Sequence, residues 1–246
     1  MKYFFLFIFC FFFSAIATAQ LSVHTGFTAG TNQYSFTVDG QEDVLQPGTS
    51  EELIFGVPIR IAKGTWSFQT GIYTTNLSRA YYFKTPDGSQ YGSKDDDEST
   101  LSTLKVPLIV SKEFKLIKGI SLAPKVGLVW LTNQTDSDST EVLNGTINKT
   151  DFQEIGSVTH VVNKNKFLTE AGIDLNIYPF RHFILTAGVT YNYGLQSIET
   201  TDVTYSVNGE EFTETLVSKG NALSFHVGLS IPIHILHGGH KRVLFD

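Results

Sequence analysis

The feature that most constrains this chain is a repeated alternation. Eight segments carry apolar residues on one parity and small or polar residues on the other. Period-two alternation marks a strand with two unlike faces. The clearest case is near the C-terminus. There Leu223, Phe225, Val227, Leu229, Ile231, Ile233 and Ile235 interleave with Ser224, His226, Gly228, Ser230, Pro232 and His234. The other seven segments lie at Leu21–Gly30, which is the weakest, Leu53–Ile61, Trp66–Ile72, Leu104–Val110, Ile120–Trp130, Phe167–Ile177 and Phe183–Gly194. Twenty phenylalanines, ten tyrosines and 21 glycines suit strands and turns better than helices.

The connections between these segments alternate strictly between long and short. The long ones fall at about 37–52, 84–99, 133–163 and 197–218. The short ones are Lys63-Gly64, about 113–118, and 179–182. Charge sorts with length. Each long connection holds five acidic residues, so together they hold 20 of the 24 in the chain, against only Lys84, Lys94 and Lys149. The short-turn end carries Lys63, Lys112, Lys115, Lys118, Arg181, Lys241 and Arg242. Such segregation marks two ends of one object. Together these patterns predict an all-β fold: an eight-stranded antiparallel transmembrane β-barrel with short periplasmic turns and long acidic extracellular loops.

Mean hydropathy is +0.00, and no stretch past residue 20 approaches the ~20 apolar residues of a membrane helix. Barrels escape that test because lipid-facing and lumen-facing residues alternate. A soluble lipocalin-like barrel would show the same alternation turned inside out. Two features oppose it. The polar face is studded with glycines such as Gly26, Gly56, Gly127, Gly172, Gly188 and Gly228. These weaken a water-exposed strand but make room in a narrow lumen. The apolar face ends in aromatics, Trp66 and Phe183 near the short turns and Trp130, Tyr191 and Tyr193 near the long ones. Interfacial girdles are built this way.

The N-terminus reads as a signal peptide: Lys2, an apolar run from Tyr3 to Phe13, then Ala17-Thr18-Ala19. Cleavage is expected between Ala19 and Gln20, giving a signal peptide at 1–19 and a barrel domain at 20–246. Cys10, the only cysteine, lies inside the apolar run without the small flanking residues of a lipid-attachment site. The exported chain would then have no disulfide, which suits passage through an oxidising compartment.

Three stretches carry a family resemblance: the glycine-bearing opening strand Val23–Gly30, Leu104-Lys105-Val106-Pro107-Leu108, and the closing Val227-Gly228-Leu229-Ser230-Ile231. In them the chain resembles the PorT-like outer membrane protein beta-barrel domain proteins of Bacteroidota-type bacteria. The resemblance implies an exported Gram-negative outer-membrane barrel. Its expected partners are outer-membrane lipid, the barrel assembly machinery and a possible periplasmic protein. It transfers no catalytic residue. About ten residues, ending Val243-Leu244-Phe245-Asp246, run past the last strand, where many such barrels end on a closing aromatic.

The candidate site is a lumen charge cluster. On the inward parity lie Arg60, Lys105, Lys125, Glu170 and Asp174, together with His24 and His226. An eight-stranded lumen is filled by side chains, so a structural ion-pair core is the simpler reading and a charged passage the sharper one. The five principal charges sum to three cations against two anions, leaving one positive charge for a water or a loop carboxylate to balance. Lys125 and Glu170 are expected to be partners. Asp95-Asp96-Asp97-Glu98 lacks the interleaved spacing of a calcium loop. His234, His237 and His240 have no adjoining carboxylate or cysteine. No metal, cofactor or nucleic acid is expected. No nucleophile elbow, zinc-protease or phosphate-loop motif is present, and His160 is the sole histidine of the long connections. Catalysis is therefore not expected. Three functions remain open: a structural or interaction barrel displaying acidic loops, a narrow pore or small-ligand barrel, and a rim enzyme acting on lipid.

Overall fold

The computed structural model describes residues 21–40, 44–84, 90–94, 101–133, 139–141, 152–162, 165–180 and 183–235. The expected cleavage site at Ala19 and Gln20, the acidic run 95–98, and His237 and His240 lie outside them. In chain order the strands are β1 (Leu21–Asp39), β2 (Leu45–Pro47), β3 (Thr49–Lys63), β4 (Trp66–Leu77), β5 (Ala80–Lys84), β6 (Gln90–Lys94), β7 (Leu101–Lys112), β8 (Phe114–Ile117), β9 (Ile120–Asn133), β10 (Ser139–Glu141), β11 (Phe152–Val161), β12 (Asn165–Ile177), β13 (Ile184–Gly194), β14 (Glu199–Val207) and β15 (Glu210–Ile235).

Eight of them close a barrel in the order β1-β3-β4-β7-β9-β12-β13-β15, and β15 returns to pair antiparallel with β1. Every neighbouring pair is antiparallel. Closure leaves no free edge among these strands. All eight alternating segments of the sequence fall on the eight barrel strands.

The alternation faces the way the glycine argument requires. On β15, Phe225, Val227, Leu229, Ile231 and Ile233 point outward and are 43–62% exposed. On β3, Gly56, Pro58 and Arg60 are buried inside while Phe55, Val57 and Ile59 lie outside. An apolar belt of this extent is incompatible with a solvated surface. Aromatics rim it. Phe180 and Phe183 meet edge to face at 6.2 Å at the short-turn end, and Lys112 sits 5.2 Å from the Trp66 ring and 5.3 Å from that of Phe114. Trp130, Tyr191 and Tyr193 rim the opposite side.

The strands run farther than the sequence pattern suggested, because the two faces exchange polarity. On β1, Val23 and Phe27 face out and His24 is buried within. From Thr31 onward the arrangement reverses. Thr31, Gln33, Ser35, Thr37 and Asp39 are exposed, while Tyr34, Phe36 and Val38 are buried. β4 does the same, with Ile72 outside lower down and Thr74 and Asn76 outside above buried Leu77. Below the exchange the wall is built for hydrocarbon outside, and above it for water outside.

The long connections, which the sequence pattern reads as loops, contain strands. Residues 37–52 contain the end of β1, all of β2 and the start of β3, and residues 197–218 are mostly β14 and the first part of β15. β14 pairs with β15 and β11, extending the sheet beyond the barrel mouth, and β2, β5 and β6 form a second small sheet. Asn208 and Gly209, with φ of 53° and 82°, make the tight β14–β15 turn, as a two-residue hairpin demands. Gly220, at φ 73°, sits where β15 shifts register against β1 between extension and barrel. A side chain there would be strained by the backbone and would strike Ile198 at 2.4 Å. The two sheets enclose an apolar core. Phe83 packs 5.6 Å from Tyr81 and 5.4 Å from Tyr205, beside buried Leu45, Ile198, Val203 and Leu216. Burial, with Glu214 alongside, pushes the Tyr205 phenol well above its ordinary pKa. We call this folded end the cap.

Candidate functional site

The lumen divides into three levels. The lowest lies at the short-turn end and centres on Glu113, which is buried. Its Oε1 pairs with the Arg60 guanidinium, accepts from the Tyr178 hydroxyl at 2.7 Å and accepts from Asn176 Nδ2 at 3.3 Å. Asn176 Oδ1 accepts in turn from the Thr186 hydroxyl at 3.0 Å. Three strands (β3, β12 and β13) and two connections are thereby tied across the barrel floor.

The middle level holds Asp174, whose Oδ1 lies 2.8 Å from Lys125 Nζ and 3.0 Å from His226 Nε2. Lys125 Nζ and His226 Nε2 are 3.2 Å apart. With its proton on Nε2, His226 donates to Asp174 and shares that acceptor with Lys125; with its proton on Nδ1, Lys125 donates to both Asp174 and His226. Gly188 makes the arrangement possible, since a Cβ there would stand 2.1 Å from Asp174 Oδ1.

Along and above these levels runs a polar cavity of about 80 Å³, onto which Arg60, Lys125, Asp174 and His226 also open. Lys105 and Glu170 line it, with Tyr73, Asn192 and Ser224. Lys105 is 4% exposed. Its ammonium has no hydrogen-bond partner among the described residues and lies 5.4 Å from the Tyr34 ring centroid. Asn192 Oδ1 in the same cavity also lacks a partner among the described residues, whereas Asn32 is satisfied. Asn32 Nδ2 donates to Tyr34 Oη at 3.2 Å and to Thr75 Oγ1 at 3.1 Å, and its Oδ1 accepts from Ser224 at 2.5 Å. Over the cavity runs an apolar layer of Leu77, Ile109, Val129, Leu131, Leu168 and Ala222, continuous with the core of the cap.

Arg60, Lys105, Lys125, Glu170 and Asp174 all enter the one lumen, as the parity requires. Their pairing differs from expectation in one way: Lys125 takes Asp174 as its partner and not Glu170. The surplus positive charge is balanced by a carboxylate of a connection, Glu113, which holds Arg60. Glu113 could have been found by continuing the inward parity of β7 through Lys105, Pro107, Ile109 and Ser111 to 113. Treating it as part of a turn hid it. Among the described residues no group of three or more His, Cys, Asp and Glu side chains could hold a metal ion.

A closed antiparallel barrel with an apolar outer belt and a charged, side-chain-filled interior defines a membrane-spanning β-barrel protein. The chain belongs to the outer membrane protein beta-barrel domain family, whose model matches residues 18–199. It is an outer-membrane protein of the Gram-negative type, and its apolar belt faces the membrane lipid. No curated protein sequence matches it. Among solved structures it is similar to the outer membrane protein OprG from Pseudomonas aeruginosa, at 10% identity and a TM-score of 0.48, covering 88% of this chain and 96% of that one. It is also similar to Neisserial surface protein A (11%, 0.44, covering 86% and 97%) and to Ail of Yersinia pestis (10%, 0.36, covering 86% and 99%).

Proposed function

We propose that this protein is a sealed, membrane-anchored scaffold whose folded acidic cap is its working surface. The observation that carries the reading is the closure of the lumen at both levels. The Glu113–Arg60 knot lies below, and the apolar layer from Tyr34 and Leu77 to Leu168 lies above. A water-filled conduit needs a continuous polar path, and this interior interrupts it with packed hydrocarbon. In outer-membrane barrels short turns face the periplasm and long connections face outward. On that orientation the cap is extracellular and the lysine-bearing hairpin of β8 and β9 faces the periplasm, where it offers a docking surface for a periplasmic protein.

The reading includes signal-peptide removal between Ala19 and Gln20, insertion by the barrel assembly machinery, and membership of the PorT-like group within the family. Catalysis has no part in it. The lumen charge cluster is assigned a structural role: it fills and neutralises the interior.

Planar-bilayer recording of the purified barrel tests this. The expectation is no steady conductance. A steady open channel that responds to Glu113→Gln would overturn the scaffold reading in favour of a narrow pore. The polar cavity around Lys105 is the feature that favours that second reading.

A further inference from the structure

Two of the lumen charges are left over by the pairing. Arg60 is neutralised by Glu113, and Lys125 by Asp174. Lys105 and Glu170 remain. They enter from β7 and β12, with β9 between them, and line one cavity. No ion pair joins them; the Lys105 ammonium is buried without a hydrogen-bond partner among the described residues, and Glu170 is half-buried beside Tyr73. Lys105 is more than nine-tenths buried. A buried charge without a partner is costly, and proteins rarely keep one without giving it a counter-charge. Here a cation and an anion are both kept, separated, across a space.

We propose that this cavity is a binding site for a small zwitterion of the amino-acid class. The ligand's carboxylate would face Lys105 and its ammonium would face Glu170. Charge balance selects a zwitterion over a simple ion. Among the described residues around the cavity and its floor, three cations (Arg60, Lys105, Lys125) face three anions (Glu113, Glu170, Asp174). An anion at Lys105 alone would unbalance it and leave Glu170 unmet. Size sets the class. A cavity of about 80 Å³, at roughly 10–15 Å³ per water-sized centre, admits about 5–8 non-hydrogen atoms. Small amino acids from glycine to valine fit that count, and leucine and larger ones do not. The site goes beyond the scaffold role and does not depend on it, since a sealed lumen can retain a ligand as readily as an open one can pass it.

The test refolds the full-length exported protein into detergent micelles in the presence of each compound, so that a sealed lumen is loaded as it forms. Equilibrium retention of radiolabelled glycine and alanine across a concentration series is compared with that of acetate and of methylammonium. Glycine is expected to bind at least tenfold more tightly than either half-molecule. Lys105→Gln and Glu170→Gln should each weaken glycine binding at least tenfold while the barrel keeps its heat-modifiable migration. Absence of binding by both zwitterions would overturn the proposal. So would acetate binding as tightly as glycine, or glycine binding that neither substitution alters. The comparison of glycine with acetate needs only the unaltered protein, so it decides the matter even if a variant fails to fold.

Discussion

Replacing Glu113 by alanine should be among the most damaging single changes in the barrel, although it lies beside a short turn. The carboxylate is buried and receives three donors, from Arg60, Tyr178 and Asn176. Its removal strands the Arg60 guanidinium, itself 8% exposed. Breaking a buried ion pair by deleting one partner costs about 3–5 kcal/mol. The orphaned Tyr178 and Asn176 donors add about 1 kcal/mol each where water cannot reach them. Water entering from the adjacent end recovers part of this, so the net expectation is a loss of about 3–5 kcal/mol. Equilibrium unfolding in micelles, followed by the fluorescence of Trp66 and Trp130, measures it. Arg60→Met in the same chain should restore more than half of the loss, because it removes the stranded charge. A loss below about 1 kcal/mol would refute the reasoning, since that is the worth of a single ordinary hydrogen bond. Strict additivity of the two substitutions would refute it as well.

Two further outcomes follow from the middle of the lumen. Asp174→Ala and Lys125→Ala should couple by more than about 1 kcal/mol in a double-mutant cycle, whereas Glu170→Ala and Lys125→Ala should be additive to within about 0.5 kcal/mol. Gly188→Leu should prevent assembly, because its first carbon already collides with Asp174. Thr200→Leu, on the outer face of β14, should not. Heat-modifiable gel migration separates the two.

The barrel was legible in the sequence because its wall needs one parity apolar and the other small or polar, and eight segments obey that rule. The lumen charges were legible for the same reason: Arg60, Lys105, Lys125, Glu170 and Asp174 share the inward parity. Their partners were not. Parity places a side chain inside but does not say how far round the barrel it reaches, so Lys125 was matched to the wrong carboxylate. The cap was hidden by the exchange of faces. A reading that follows one constant apolar face ends β1 at Gly30, where Tyr34, Phe36 and Val38 take over the opposite parity. The strand had not ended, but the medium outside it had changed. β14 shows the same alternation in Thr201, Val203 and Tyr205, obscured by the acidic residues around it.

That exchange is the central claim, and spin labels on the outer face of β1 test it most directly. In the chain from Gln20 onward, which contains no cysteine, single cysteines are placed at Val23, Phe27 and Ala29 and at Gln33, Ser35 and Thr37. Each is spin-labelled in lipid vesicles and probed for collision with oxygen and with a water-soluble nickel chelate. The lower three should favour oxygen, as lipid-facing sites do, and the upper three should favour the chelate, with the crossover near Thr31. A uniform preference along all six positions, or a crossover below Phe27, would contradict the account.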